Sequence, residues 1–153
     1  MRFLFVDRIL ELIPGKSIEA EHVFSSAEDF FQDHFPGFPV VPGVLLTEMM
    51  GQTAAKCLDA ESRGKGRGKA MLAQIRSASF RDWVRPDEKA LIRAEIRTSQ
   101  VEYATAACWV EIRGSRVCAA DLLFSFLPID QFAPGYRDEI LESFLASREQ
   151  GKG

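Results

Sequence analysis

The sequence predicts an α+β domain in which one antiparallel sheet wraps around a single buried helix. Three observations lead there. The run Val44–Leu58 (VLLTEMMGQTAAKCL) is apolar on nearly every face, and its length and its Met, Leu and Ala content favour a helix over a strand. A helix of that kind is covered on most sides. From the nineties to Leu127 the chain alternates with period two: Ile92, Ala94 and Ile96 face one way, and Arg93, Glu95 and Arg97 the other. The same alternation continues through Ala104, Ala106, Cys108, Val110 and Ile112, and then from Cys118 to Phe126. Short turns such as Arg113-Gly114-Ser115 join these strands, which makes the sheet antiparallel.

In chain order, residues 3–13 predict a strand ended by the Pro14-Gly15 turn, and residues 17–25 a second strand. Residues 26–42 carry Pro36, Gly37, Pro39 and Pro42 and read as loop. The helix is expected over 43–60, followed by a basic loop, Arg63-Gly-Lys-Gly-Arg-Gly-Lys69. Within 136–149 the stripe Ile140, Leu141, Phe144, Leu145 predicts a second, amphipathic helix, and residues 150–153 are expected to fray. The expected organisation is one domain: residues 1–127 with the sheet and long helix, and 128–153 as a helical extension of it.

The composition sets bounds on function. With 153 residues, 46% apolar and 27% charged, the chain suits one globular core. A net charge of −3 argues against a general nucleic-acid binder. Cys57, Cys108 and Cys118 are odd in number and share no CxxC spacing, so neither a disulfide framework nor a zinc site is expected, and a cytoplasmic location with reduced thiols is. Neither a signal peptide nor a membrane span is indicated. His22 in a strand reads as structural or solvated.

The informative segment runs from Asp33 to Gln52 (DHFPGFPVVPGVLLTEMMGQ). Glu48 stands about one and a half turns into an otherwise apolar helix, where a carboxylate is costly unless it is paired, protonated or functional. Gln52, one turn later, is placed to hold it. The spacing leaves two readings open: a packing pair, or a catalytic acid with its orienting amide. Pro42 suits the helix start, and Gly43 leaves its N–H unobstructed at a helix N-terminus, where negative charge is favoured. His34 is one of two histidines, and an imidazole, which ordinarily titrates at about 6.5, suits a base at neutral pH.

His34-Phe-Pro-Gly37, Pro39, Pro42-Gly43, Glu48 and Gln52 match HFPGxPxxPGxxxxExxxQ position by position. In this the chain resembles the FabZ-type (3R)-hydroxyacyl-acyl carrier protein dehydratases, from Phe3 to about Leu127. The resemblance implies a hot-dog fold and dehydration of a 3-hydroxyacyl thioester carried on acyl carrier protein, in fatty acid or related acyl-chain synthesis. It implies no metal and no organic cofactor. His34 and Glu48 are then catalytic, and Gly43, Phe35, Pro42 and Gln52 bind substrate. Which of His34 and Glu48 moves which proton stays open at this stage. The resemblance also implies a homodimer, or a trimer of dimers, whose sites take histidine from one subunit and acid from the other.

Three features depart from the family pattern. Asp33 stands where Gly is usual and suits either charge support for His34 or a left-handed loop conformation. Pro86-Asp-Glu88 replaces Pro-Gly-Asp, and the terminal helix is additional. The isomerising relatives carry Asp where this chain has Glu48, which argues against isomerisation. The basic loop has two readings: solvated surface, or a docking patch for acidic acyl carrier protein made by Arg63, Lys65, Arg67 and Lys69. The competing functions are a hot-dog acyl thioesterase and a non-catalytic acyl-binding or assembly subunit.

Overall fold

A computed structural model describes residues 1–63, 65–133 and 135–150. Strands β1 (Arg8–Ile13) and β2 (Ser17–Val23) form the first hairpin, and helix α1 (Gly43–Ser62) follows a long loop. Strands β3 (Lys69–Phe80), β4 (Lys89–Ser99), β5 (Tyr103–Ile112) and β6 (Ser115–Leu127) come next, and helix α2 (Glu139–Gln150) ends the described chain. The six strands form one sheet in the order β1-β2-β4-β5-β6-β3, antiparallel throughout. β1 and β3 are its edges. The sheet curls around α1, the hot-dog arrangement that the patterning predicts.

The alternating residues build the core. Ala90, Ile92 and Ala94 of β4, Ala104, Ala106, Cys108 and Val110 of β5, and Ala120, Leu122 and Phe124 of β6 are buried against Met49, Met50, Ala54 and Leu58 of α1. Small residues opposite a thick helix let the sheet close on it without voids. Register shifts between Ile9 and Glu11, between Leu72 and Gln74, and between Ile96 and Thr98 bend the strands, and bulges increase twist locally. The outer face is polar: Arg93 on β4 bridges Glu19 on β2 and Glu111 on β5, at 3.5 and 2.9 Å.

All three cysteines are buried. Burial pushes the Cys57 thiol up to about 11, and the Cys108 and Cys118 thiols up to about 12. A raised thiol pKa leaves little thiolate at neutral pH, and thiolate is the nucleophile. The native protein should therefore leave a thiol reagent such as Ellman's unreacted at neutral pH and release three equivalents of thiol on unfolding. Rapid labelling of any cysteine in the folded state would contradict this packing.

The differences from the sequence-based boundaries have physical reasons. The strand expected over 3–13 begins only at Arg8. Upstream, the Phe5 N–H donates to the Gln52 side chain and the Phe3 carbonyl accepts from it, so Phe3 and Phe5 are tied to α1, and only Asp7 reaches β2, its N–H donating to the Glu21 carbonyl. β2 stops at Val23, and beyond it the Phe24 carbonyl accepts from the Asp87 N–H. α1 runs two residues past the expected 60. The Arg113-Gly114 turn is a two-residue hairpin loop with φ +51° and +81°, the primed geometry that suits sheet twist.

In the Pro86-Asp-Glu88 connection, Asp87 takes φ +66°, and its carboxylate accepts from the Ser26 N–H at 2.9 Å. Asp33 corrects an expectation: its φ of −94° and ψ of −23° are right-handed helical, so the left-handed reading does not hold. The residue closes a short 3₁₀ turn, Asp29–Gln32, with its N–H on the Phe30 carbonyl. His22 is buried and its Nδ1 lies 2.8 Å from the Asp7 carboxylate, a structural role.

α2 starts at Glu139, three residues later than expected. Asp138 caps it: its carboxylate accepts from the Leu141 N–H at 3.0 Å, and its carbonyl accepts from the Glu142 N–H. Leu141 is 4% exposed within the core, and Ile140, Phe144 and Leu145 pack partly buried beside it. The expected fraying beyond Gln150 lies outside the described residues.

Candidate active site

The N-terminus of α1 organises the site. Pro42, φ −55°, precedes the helix as its cap, and its carbonyl accepts from the Leu45 and Leu46 N–H groups. Gly43 opens the first turn. Its N–H has no acceptor among the described residues. A Cβ at this position would lie 3.1 Å from the Phe80 ring, so glycine lets β3 and the helix start approach closely.

The histidine is carried by a tightly bonded loop. The His34 N–H donates to the Phe30 carbonyl, the Val40 N–H donates to the His34 carbonyl, and Phe35 and Phe38 exchange two backbone hydrogen bonds between them. The His34 ring stacks on Phe35 with centroids 3.9 Å apart. Its Nδ1 lies 3.1 Å from the Val40 carbonyl oxygen. A carbonyl only accepts, so Nδ1 carries the proton and the Nε2 lone pair of the neutral ring stays available. That is the tautomer a base requires. Neither this bond nor Val40 was legible beforehand, because nothing in the spacing reveals which carbonyl faces the ring.

Glu48 is half-buried on α1, and Gln52 donates to its Oε1 at 3.2 Å. The same amide group also donates to the Phe3 carbonyl at 3.1 Å, while its oxygen accepts from Phe5 at 2.8 Å. Gln52 thus has fixed orientation from three partners and holds one carboxylate oxygen of Glu48. Glu48 faces a groove of about 280 Å³ with Gly51, Gln52 and Ala55 as its floor and Leu4, Met71 and Leu72 among its walls. His34, Phe35, Pro42 and Gly43 do not line this groove within the chain. The expected base, acid and oxyanion donor therefore fall into two places: Glu48 and Gln52 in the groove, His34 and Phe35 on the exposed loop.

That loop belongs to an apolar surface. Phe35, Phe38, Val44, Phe80 and Trp83 are all exposed, and Phe38 meets Trp83 edge to face at 6.2 Å. Along the free edge of the sheet, β3 also exposes Met71, Leu72 and Ile75. An edge strand with apolar side chains and unpaired backbone groups is unstable in water unless covered.

The far end of the groove is ionic, which the sequence did not suggest although Lys56 in an apolar helix was as anomalous as Glu48. Lys56 pairs with Asp138 at 2.7 Å, with side chains 11% and 12% exposed. Lys69 pairs with Asp59 at 2.8 Å. Burial pushes the Asp59 carboxyl above the usual carboxylate range, against the opposing effect of Lys69.

The basic loop is not the open patch that docking would need. Arg67 lies 3.9 Å over the Phe126 ring and bonds to Glu61, Ser62 and Ser99. Lys69 is held by Asp59, and Arg63 reaches Glu142 at 3.2 Å. Arg67 and Lys69 are thus turned inward as structural ion pairs, and only Lys65 and the half-exposed Arg63 face outward. Among the described residues no group of His, Cys, Asp and Glu is arranged to hold a metal, and no helix is long and apolar enough to cross a membrane.

A curled six-stranded sheet around one long helix defines a hot-dog protein. The chain belongs to the FabA-like domain family, whose model matches residues 1–121. It is 37% identical over 121 residues to the 3-hydroxyacyl-[acyl-carrier-protein] dehydratase FabZ of Levilactobacillus brevis, covering 79% of this chain and 81% of that one. Identity to the Listeria innocua enzyme of the same name is 33% over 129 residues, covering 84% and 89%. Among solved structures, the dehydratase heterocomplex ApeI:P of Xenorhabdus doucetiae superposes with TM-score 0.67 at 12% identity, covering 84% and 86%. At that identity the likeness is one of fold.

Proposed function

We propose that this protein dehydrates a (3R)-3-hydroxyacyl group carried as a thioester on acyl carrier protein, giving the trans-2-enoyl thioester and water. The observation that carries the reading is Glu48, held by Gln52 in a groove with Leu4, Met71 and Leu72 beside it, on a chain 37% and 33% identical to FabZ relatives over 79% and 84% of its length. His34 Nε2 removes the proton from the carbon next to the thioester carbonyl. Glu48 passes a proton to the hydroxide leaving the next carbon, directly or through a water it orients. The Gly43 N–H, at the positive end of α1, stabilises the charge that builds on the thioester oxygen. The elimination balances without a redox partner: one C–H and one C–O bond break, a C=C bond forms, and water departs.

The working unit in this proposal is a homodimer. Pairing the β3 edges covers the exposed Met71, Leu72 and Ile75, and brings the His34 loop of one subunit to the Glu48 groove of the other. A larger assembly of such dimers and a cytoplasmic location fit the same reading. Arg63 and Lys65 are the basic side chains left to meet the carrier, while Phe35 and Pro42 flank the thioester.

The test is product analysis with a 3-hydroxyacyl thioester. Enoyl product supports the dehydratase. Free acid would mark a thioesterase, and unchanged substrate a binding subunit.

A further inference from the structure

The groove beside Glu48 ends at a wall built by the terminal extension, and the wall stands between two cavities. Resting on the dehydratase reading above, we infer that Tyr136, backed by the Lys56–Asp138 ion pair, closes the acyl end of the groove and sets the longest substrate accepted.

The direction of the acyl chain follows from α1. With Glu48 at the hydroxyl-bearing carbon, the part of α1 that lines the groove continues only toward the helix C-terminus, so the tail runs that way. The groove follows that path over Gly51, Gln52 and Ala55, with Leu4, Met71, Leu72 and Phe124 supplying apolar wall. It then meets Lys56, Tyr136 and Asp138. With a rise of 1.5 Å per residue, Glu48 to Ala55 spans roughly 10 Å, room for about eight methylene carbons at ~1.3 Å each along an extended chain.

The wall rejects a longer alkyl chain for two reasons. Tyr136 blocks it sterically, its ring braced edge to face on Phe132 at 4.9 Å. Behind it stand two largely buried ion pairs, Lys56–Asp138 and Lys69–Asp59. A methyl end pressed there meets the charged side chains of Lys56, Lys69 and Asp138 and returns no hydrogen bond.

Beyond the wall lies a second cavity of about 500 Å³, lined on its far side by Ser62, Arg63 and Ile129. The two cavities share Lys69, Tyr136 and Asp138 as lining, so the Tyr136 ring is the removable part of the partition. Tyr136 and Asp138 lie after residue 121, where the family match ends, so this limit belongs to the chain's own extension.

The experiment measures kcat/KM for the full chain on 3-hydroxyacyl thioesters of increasing length, from hydroxybutyryl to hydroxyhexadecanoyl. In the wild type, kcat/KM should fall at least about tenfold once the tail outgrows the groove, the scale on which pockets discriminate single methylenes. Tyr136→Ala should move that break several carbons toward longer chains and leave the hydroxybutyryl rate within about twofold, since the reacting groups are untouched. Tyr136→Phe should keep the wild-type break. A Tyr136→Ala profile that superimposes on the wild type, or a loss uniform across all lengths, overturns the inference while hydroxybutyryl turnover upholds the reaction. A wild type that makes no enoyl product at any length overturns the dehydratase reading, and the inference with it.

Discussion

His34→Ala and Glu48→Gln should each turn over roughly 10²–10⁴ more slowly than the wild type, the usual worth of a positioned base or acid. The expectation rests on geometry. The Val40 carbonyl holds Nδ1–H and leaves Nε2 as the basic nitrogen of the ring. Alanine removes it without disturbing the backbone bonds that shape the loop, namely the His34 N–H to Phe30 and the Val40 N–H to His34. In Glu48→Gln the new side chain keeps an oxygen for the Gln52 amide to reach, so the clamp on Phe3 and Phe5 persists. What is lost is the exchangeable carboxyl proton. Circular dichroism and melting curves of both variants should match the wild type, and kcat should not. Wild-type turnover in either would remove that residue from the chemistry.

Truncation after Leu127 should lower the melting temperature. The extension buries Leu141 in the core and lays Ile140, Phe144 and Leu145 beside it, with α2 against β1. Burying one such side chain fully contributes about 1.5–3 kcal/mol, so with each partial burial taken at half, the loss from one full and three partial burials is about 4–7 kcal/mol. Lys56 also loses Asp138, but the cut opens that side to solvent, which limits the additional cost. For a chain of this size the melting point should drop by roughly 10–25 °C. A short helix has no such effect unless it is docked, because it is not stable alone. An unchanged melting curve would show that α2 contributes nothing to the fold.

The parts of the fold that could be read from the sequence are those set by local periodicity. Ile92 to Phe126 alternate because one sheet face is buried, and Val44–Leu58 is apolar all round because a sheet encloses it. Where backbone groups are satisfied by distant side chains, local pattern failed. Residues 3–7 have strand-like composition, yet Gln52 holds Phe3 and Phe5 on the helix.

Charge near the basic loop misled for the same reason. Arg67 looks like solvated surface until Glu61, Ser99 and Phe126 are brought to it from three other elements. Residue types and spacing singled out His34, Gly43, Glu48 and Gln52 as candidates. The hydrogen bond that sets the His34 tautomer and the wall made by Tyr136 and Asp138 depend on tertiary contacts, and no spacing encodes them.

Subunit complementation is the most direct check on how the site is assembled. His34→Ala and Glu48→Gln homodimers, each nearly inactive, are unfolded together, refolded and assayed for enoyl product. Half of the dimers formed are then mixed, and each mixed dimer holds one site with both defects and one with neither. About a quarter of wild-type activity should return, since one of two sites is restored in half of the dimers. Activity that stays at the level of the parents, with subunit exchange demonstrated, would place His34 and Glu48 of a single chain in one site and contradict a site shared between subunits.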